Sequence, residues 1–300
     1  MIGNNELPKV GIYTFVIKSK LGKYLHPLFV CSLLNDLFGL QTRAGCQCST
    51  VSGQKFLGID LNLSRRYKEA LMNEQEVLRI GFCRLNFNYF FSREDCEYIL
   101  RCIEFVAEYG WMFLPHYSVN LGGKWGNIVE NQLPRRRWLK EISYDSGKMT
   151  YMDSTQKFSK GIFPVHTDRA NVRSLDDYLN EAKDILVQTV KQYKAMYGGE
   201  IADQRQQVSQ EYQHLIWFLY PSEVLELIYP LNPTDDLTFT DIEKWSREQK
   251  PQHEEEWSTL FIPRDYRRNT YECKFSEEYI QKEEELKKKP KPNSQFLGRM

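Results

Sequence analysis

The chain has 300 residues, a length that suits one large domain or two ordinary ones. Forty basic and forty acidic side chains cancel to a formal charge of zero, so no net field exists to hold a polyanion, and nucleic acid or an anionic membrane surface is not an expected partner. Hydrophobic residues make up 41% and can build a core, which excludes wholesale disorder, while a mean hydropathy of −0.56 predicts long surface loops or a loose tail.

The N-terminal Met-Ile-Gly-Asn-Asn-Glu-Leu-Pro lacks the basic-then-apolar order of a secretory signal. No run reaches the roughly 18 apolar residues that a membrane span requires. The expectation is an intracellular, cytoplasmic protein. Its odd number of cysteines, seven, fits reduced thiols better than a disulfide framework. Residues 10–18 are β-branched and aromatic on both alternating faces, which predicts a strand covered on both sides. Pro27 suits a first helical position and Gly39 a C-terminal stop, so a helix is predicted over 27–38. Residues 40–50 read as a short strand entering a loop of small residues. A helix over 64–73, capped by Ser64, follows. Residues 77–90 alternate: Cys83, Leu85, Phe87 and Tyr89 on one face, Arg84, Asn86 and Asn88 on the other. Ser92 and Asp95 have capping-box spacing and open a helix ending at Gly110. Residues 1–112 therefore predict an α/β layer of strands alternating with helices.

Residues 113–230 form an extension of different character. Its signals are a hairpin, Glu141–Tyr144 with Lys148–Tyr151, and a long helix opened by Ser174 and Asp177 and stopped by Gly198-Gly199. His214–Tyr220 reads as a buried strand halted by Pro221. Residues 231–300 read as a polar, charged tail, partly disordered, with a charged helix over 275–289. Arg135-Arg136-Arg137 and Lys287-Lys288-Lys289 are short basic runs of the kind found on solvated faces.

The chemistry concentrates in 37–48 and 77–91. Ala44-Gly45 allows a tight turn at a strand end and presents Arg43, Cys46 and Cys48 at a rim. Arg84 projects from the polar face of a nearby strand. Two guanidiniums converging on one rim would bind a carboxylate or phosphate, because each offers a planar fork of donors. A cysteine beside two cations would lean toward its thiolate. Taken alone, Arg84 reads as a surface arginine, Cys46 as a structural thiol, and the five scattered histidines form no catalytic grouping. No cysteine/histidine cluster has zinc spacing, so no metal is expected.

Three segments, Leu34-Asn35-Asp36-Leu37-Phe38-Gly39, Gln41-Thr42-Arg43-Ala44-Gly45-Cys46-Gln47-Cys48 and Arg84-Leu85-Asn86-Phe87-Asn88-Tyr89-Phe90, resemble the C-terminal part of class V aminotransferase-like enzymes. That family of fold-type I pyridoxal-phosphate enzymes includes the cysteine desulfurases. The resemblance runs over 7–112 and thins toward 228. It implies a small C-terminal domain at 1–112, built on a short, mainly antiparallel sheet covered by helices, with an irregular extension beyond.

The resemblance also implies an amino-acid substrate and pyridoxal 5'-phosphate as cofactor. Arg84 takes the place of the arginine that grips the substrate's α-carboxylate, Arg43 that of the arginine opening the Arg-x-Gly loop, and Cys48 that of the sulfur-accepting catalytic cysteine. His26, before Pro27, takes a structural position. Cys46 and Gln47 stand where desulfurases place histidines, and Ser49-Thr50-Val51-Ser52-Gly53-Gln54 replaces the usual continuation. The family's Schiff-base lysine belongs to a large domain with a His-Lys setting, and the chain has no His-Lys pair. The expectation is a fragment whose partner is a large domain or, in a homodimer, a second copy. The alternative is a non-catalytic, cofactor-free interaction domain derived from that family.

Overall fold

In a computed structural model of the chain, the residues described are 2, 10–19, 22–45, 50–128, 142–145, 147, 150–151, 174–197, 203–228, 231, 236–248, 261 and 263. Met1–Arg264 form one compact unit and Asp265–Met300 a second, which lies outside the described residues. So do the expected helix over 275–289, both basic runs and Gly198-Gly199.

The first unit opens with β1 (Ile12–Phe15), α1 (Pro27–Phe38) and β2 (Arg43–Gly45). α1 has the predicted bounds for the predicted reasons. Pro27 sits at its start, and Gly39 closes it in the left-handed region at φ 68°. Its N-cap is His26, whose Nδ1 accepts a hydrogen bond from the Leu28 N–H at 3.2 Å. Next come α2 (Thr50–Leu57), which sequence reasoning missed, and α3 (Leu61–Met72). α3 starts earlier than expected because Asp60, rather than Ser64, caps it, accepting from the Leu63 N–H at 2.7 Å. The Ser64 hydroxyl donates instead to Gln54.

β3 (Phe82–Asn86) is shorter than the 77–90 alternation, since 76–78 coil into a 3-10 turn and Tyr89 is fully exposed. α4 (Arg93–Tyr109) has the full capping box: Asp95 N–H donates to Ser92 Oγ and Ser92 N–H donates back to the Asp95 carboxylate. A buried 3-10 segment, Gly110–His116, leads into the β4 (Tyr117–Val119) and β5 (Trp125–Asn127) pair. The expected hairpin is present as β6 (Ile142–Ser143) and β7 (Thr150–Tyr151), paired antiparallel. α5 (Leu175–Tyr197) carries its Ser174–Asp177 box. α6 (Pro221–Ile228) and α7 (Phe239–Glu248) follow.

His214–Tyr220 is not a strand. Gln210–Leu215 form a 3-10 turn, and the chain beyond it makes one parallel bridge, Phe218 with Tyr24. Tertiary hydrogen bonds hold it there: Leu219 N–H to the Tyr24 carbonyl at 2.9 Å and Trp217 Nε1–H to the Leu78 carbonyl at 3.2 Å. The described residues thus form a mixed architecture of helices and small antiparallel sheets.

The largest sheet has the order β1-β3-β2, antiparallel throughout. Strand alternation divides its side chains. Phe15, Cys83 and Leu85 are buried, and Cys83 lies against the start of α1, its thiol donating to the Pro27 carbonyl. Ile12, Arg43 and Asn86 point the other way and are exposed. β1 is therefore an edge strand whose outer face is partly open among the described residues, with Ile12 exposed and Thr14 half-buried, where a strand covered on both sides was expected. α1 also packs on α4, α5 and β5. Phe29 meets Tyr117 edge-to-face at 5.1 Å, and Phe38 meets Phe105 at 5.7 Å. Within this core the Tyr117 hydroxyl donates to the buried Asp36 carboxylate at 2.8 Å, so a charge on α1 that would otherwise be costly has a partner.

Candidate functional site

β3, the central strand, aims Arg84 at the open face. Across the ladder its Cα is paired with Thr14 on β1 and with Arg43 on β2. Directly opposed residues of an antiparallel pair have Cβ atoms about 4.5–5.5 Å apart on the same face. Two arginines separated by some forty residues of chain therefore rise side by side, with Thr14 completing the row and Asn86 opposite Ile12 one step along. Arg84 is half-buried and Arg43 exposed. Among the described residues the Arg84 guanidinium makes no hydrogen bond or ion pair.

Like charges directly opposed destabilise a sheet. An anion lying between the two forks reverses the sign, since each fork can donate two parallel N–H bonds to a planar oxyanion. Thr14 stands in the same row, its hydroxyl donating to the Ile2 carbonyl at 3.5 Å. Alternation along 10–18 was the signal that could have found it.

Two glycines set the end of β2. Gly45 has φ +106°, a backbone that side-chain-bearing residues resist, and it turns the chain out of the ladder into 46–49. Gly81 lies against it so closely that a Cβ there would stand 2.5 Å from the Gly45 Cα. Gly81→Ala must therefore push β2 off β3 and take Arg43 with it. The expected cost is about 1–3 kcal/mol in urea unfolding, as for other overpacked sites. A Gly81→Ala protein of unchanged stability would show that the two backbones are not in contact.

Cys46 and Cys48 fall in 46–49, between the end of β2 and the start of α2, outside the described residues. The structure therefore brings Arg43 and Arg84 together and gives no position for Cys48. None of β1, β2 and β3 contains a lysine. Among the described residues these three strands therefore supply guanidinium groups for an anion and no amine for the aldehyde of pyridoxal phosphate. These strand residues would not hold that cofactor covalently. Among the described residues no group of three His, Cys, Asp or Glu side chains is placed to hold a metal ion, and no helix is long and apolar enough to cross a membrane.

His26 and His116 belong to the core. Burial lowers the pKa of His26 to about 3, against a smaller opposite influence of the Val77 backbone, and lowers that of His116 to about 4. Neither Nε2 reaches a hydrogen-bond partner among the described residues; Val77 lies near enough to His26 to favour its charged form, but not in bonding geometry. His26 sits between Trp217 and Phe218, with ring centroids at 5.5 and 4.8 Å, in keeping with the structural role expected of the His-Pro step.

Comparison with known proteins brings out no matching family, no matching curated protein and no matching solved structure.

Proposed function

We propose that the open face of the β1-β3-β2 sheet is the carboxylate-gripping half of an amino-acid site, and that the chain serves as the small C-terminal domain of a class V aminotransferase-like, cysteine desulfurase-like enzyme. The observation that carries this reading is the cross-strand pairing of Arg43 with Arg84. The residues that resemble the family's substrate arginines lie in separate segments, and the ladder sets them opposite one another. Arg84 holds the α-carboxylate from the central strand and Arg43 closes on it from β2. Cys48, three residues beyond the end of β2, is the candidate sulfur acceptor. The lysine that would carry pyridoxal phosphate belongs to the large domain of the family, which meets the small domain across the substrate.

The interaction-domain reading has its own support. Val10, Ile12, Tyr89 and Phe90 are exposed around the end of the sheet where β1 begins and β3 finishes, an apolar rim that a second protein surface would cover. Titration calorimetry with L-alanine and L-alaninamide separates the two. A carboxylate grip predicts heat of binding for alanine that is lost for the amide. Equal behaviour of the two compounds would overturn it and leave the interaction domain.

A further inference from the structure

Beneath the arginine row, on the covered side of the sheet, two thiols meet. Cys31 is on the first half of α1 and Cys83 on β3, and their sulfurs are 3.9 Å apart. Cys31 is half-buried; Cys83 is 1% exposed. The Thr42 hydroxyl, on the chain just before β2, donates to the Cys31 sulfur at 3.0 Å. The Cys31 thiol points at the Cys83 sulfur, and the Cys83 thiol donates to the Pro27 carbonyl at 3.4 Å. The neighbouring Cys83, helped by the Thr42 hydroxyl, pulls the Cys31 pKa down against the influence of burial, while burial and the neighbouring sulfur push that of Cys83 well up. A half-buried sulfur supported as an anion, with a protonated thiol held behind it, is the arrangement of an attacking and a resolving cysteine.

We propose that Cys31 and Cys83 are a two-electron redox pair that closes to a disulfide between α1 and β3 when the protein meets a peroxide. The Cys31 sulfur attacks one peroxide oxygen and the O–O bond breaks. The departing oxygen leaves as water with the thiol proton, and Cys31 becomes a sulfenic acid. The Cys83 sulfur then attacks Cys31; the S–O bond breaks and the hydroxide departs as a second water with the Cys83 proton. Two thiols have given up two electrons, and one peroxide has become two waters. Closure brings the sulfurs about 2 Å closer, to bonding distance near 2.05 Å. A dithiol reductant reverses it by exchange. The inference stands on the α1–β3 contact alone and is independent of what binds at Arg43 and Arg84. Neither cysteine advertises its partner in the sequence, because Cys31 falls inside the helix expected over 27–38 and Cys83 on the apolar face of a strand.

The test is cysteine mapping of the full chain. The protein takes one equivalent of hydrogen peroxide, is alkylated in denaturant, and is digested without reductant for mass spectrometry. The expected result is a linked Cys31–Cys83 peptide, loss of alkylation at those two positions, and recovery of both with dithiothreitol. Thr42→Val, which removes the donor to the reacting sulfur, is expected to slow the loss about tenfold. Cys31→Ser is expected to leave Cys83 alkylatable after the same dose. Three results would overturn the proposal: Cys31 linked to Cys46 or Cys48, Cys31 carried to sulfinic acid with Cys83 still free, or both thiols untouched. The wild-type map decides even if either variant folds poorly.

Discussion

Lowering the pH from about 7.5 to 5 is expected to cost the fold about 4 kcal/mol, roughly half from each of two buried histidines. His26 and His116 titrate near 3 and 4 in the folded chain, against an ordinary value of 6.5. Below pH 6.5 the unfolded chain takes up two protons that the folded one refuses, so stability falls as the pH drops from 6.5 toward 4. It is fully present above that range. The cause is burial among aromatic rings, with Tyr193 edge-on to His116 at a centroid distance of 5.0 Å. Urea unfolding at half-unit steps of pH measures this directly. His116→Phe keeps a ring in the site and should remove about half of the slope. A midpoint that stays constant between pH 7 and 5 would show that both imidazoles have access to water or to a partner.

The second large effect falls on binding. Arg84→Gln is expected to weaken amino-acid binding by about ten- to a hundredfold, the worth of a charge-assisted bidentate pair. The same substitution relieves the repulsion across the ladder, so the unliganded protein should be as stable as before or more stable by a few tenths of a kcal/mol. Opposite signs for stability and for affinity distinguish a site arginine from a structural one, whose loss would lower both. Calorimetry with L-alanine, paired with urea unfolding of the same variant, reads the two quantities separately. An Arg84→Gln protein with unaltered affinity would remove Arg84 from the site.

What could be read from the sequence is what local chemistry controls. His26-Pro27 and Gly39 bound α1, and Ser92/Asp95 and Ser174/Asp177 mark their helices, because caps and left-handed stops act over four residues. The strand carrying Arg84 was also legible from alternation, and a short strand was expected within 40–50, which holds Arg43. Their register was not, because it depends on a ladder between segments far apart in the chain. The resemblance placed both arginines at one substrate, and the ladder supplies a physical means. The same limit explains the errors. The apolar run at His214–Tyr220 has no period that tells a strand from a buried turn, and its conformation is set by Leu78 and Tyr24. Thr50–Leu57 lacks an apolar stripe and contains Gly53, so its helix left no signal. β1 looked covered twice because both its faces are apolar in sequence, while in space its outer face is partly open, with Ile12 exposed and Thr14 half-buried.

The claim on which the rest depends is that Arg43 and Arg84 act on one anion. Guanidinium NMR of the full chain, with the two Nε signals assigned through Arg43→Lys and Arg84→Lys, follows both during a titration with L-alanine. The account predicts that both signals shift along a single binding curve and that neither shifts with L-alaninamide. Signals that move independently, or only one that moves, would contradict it.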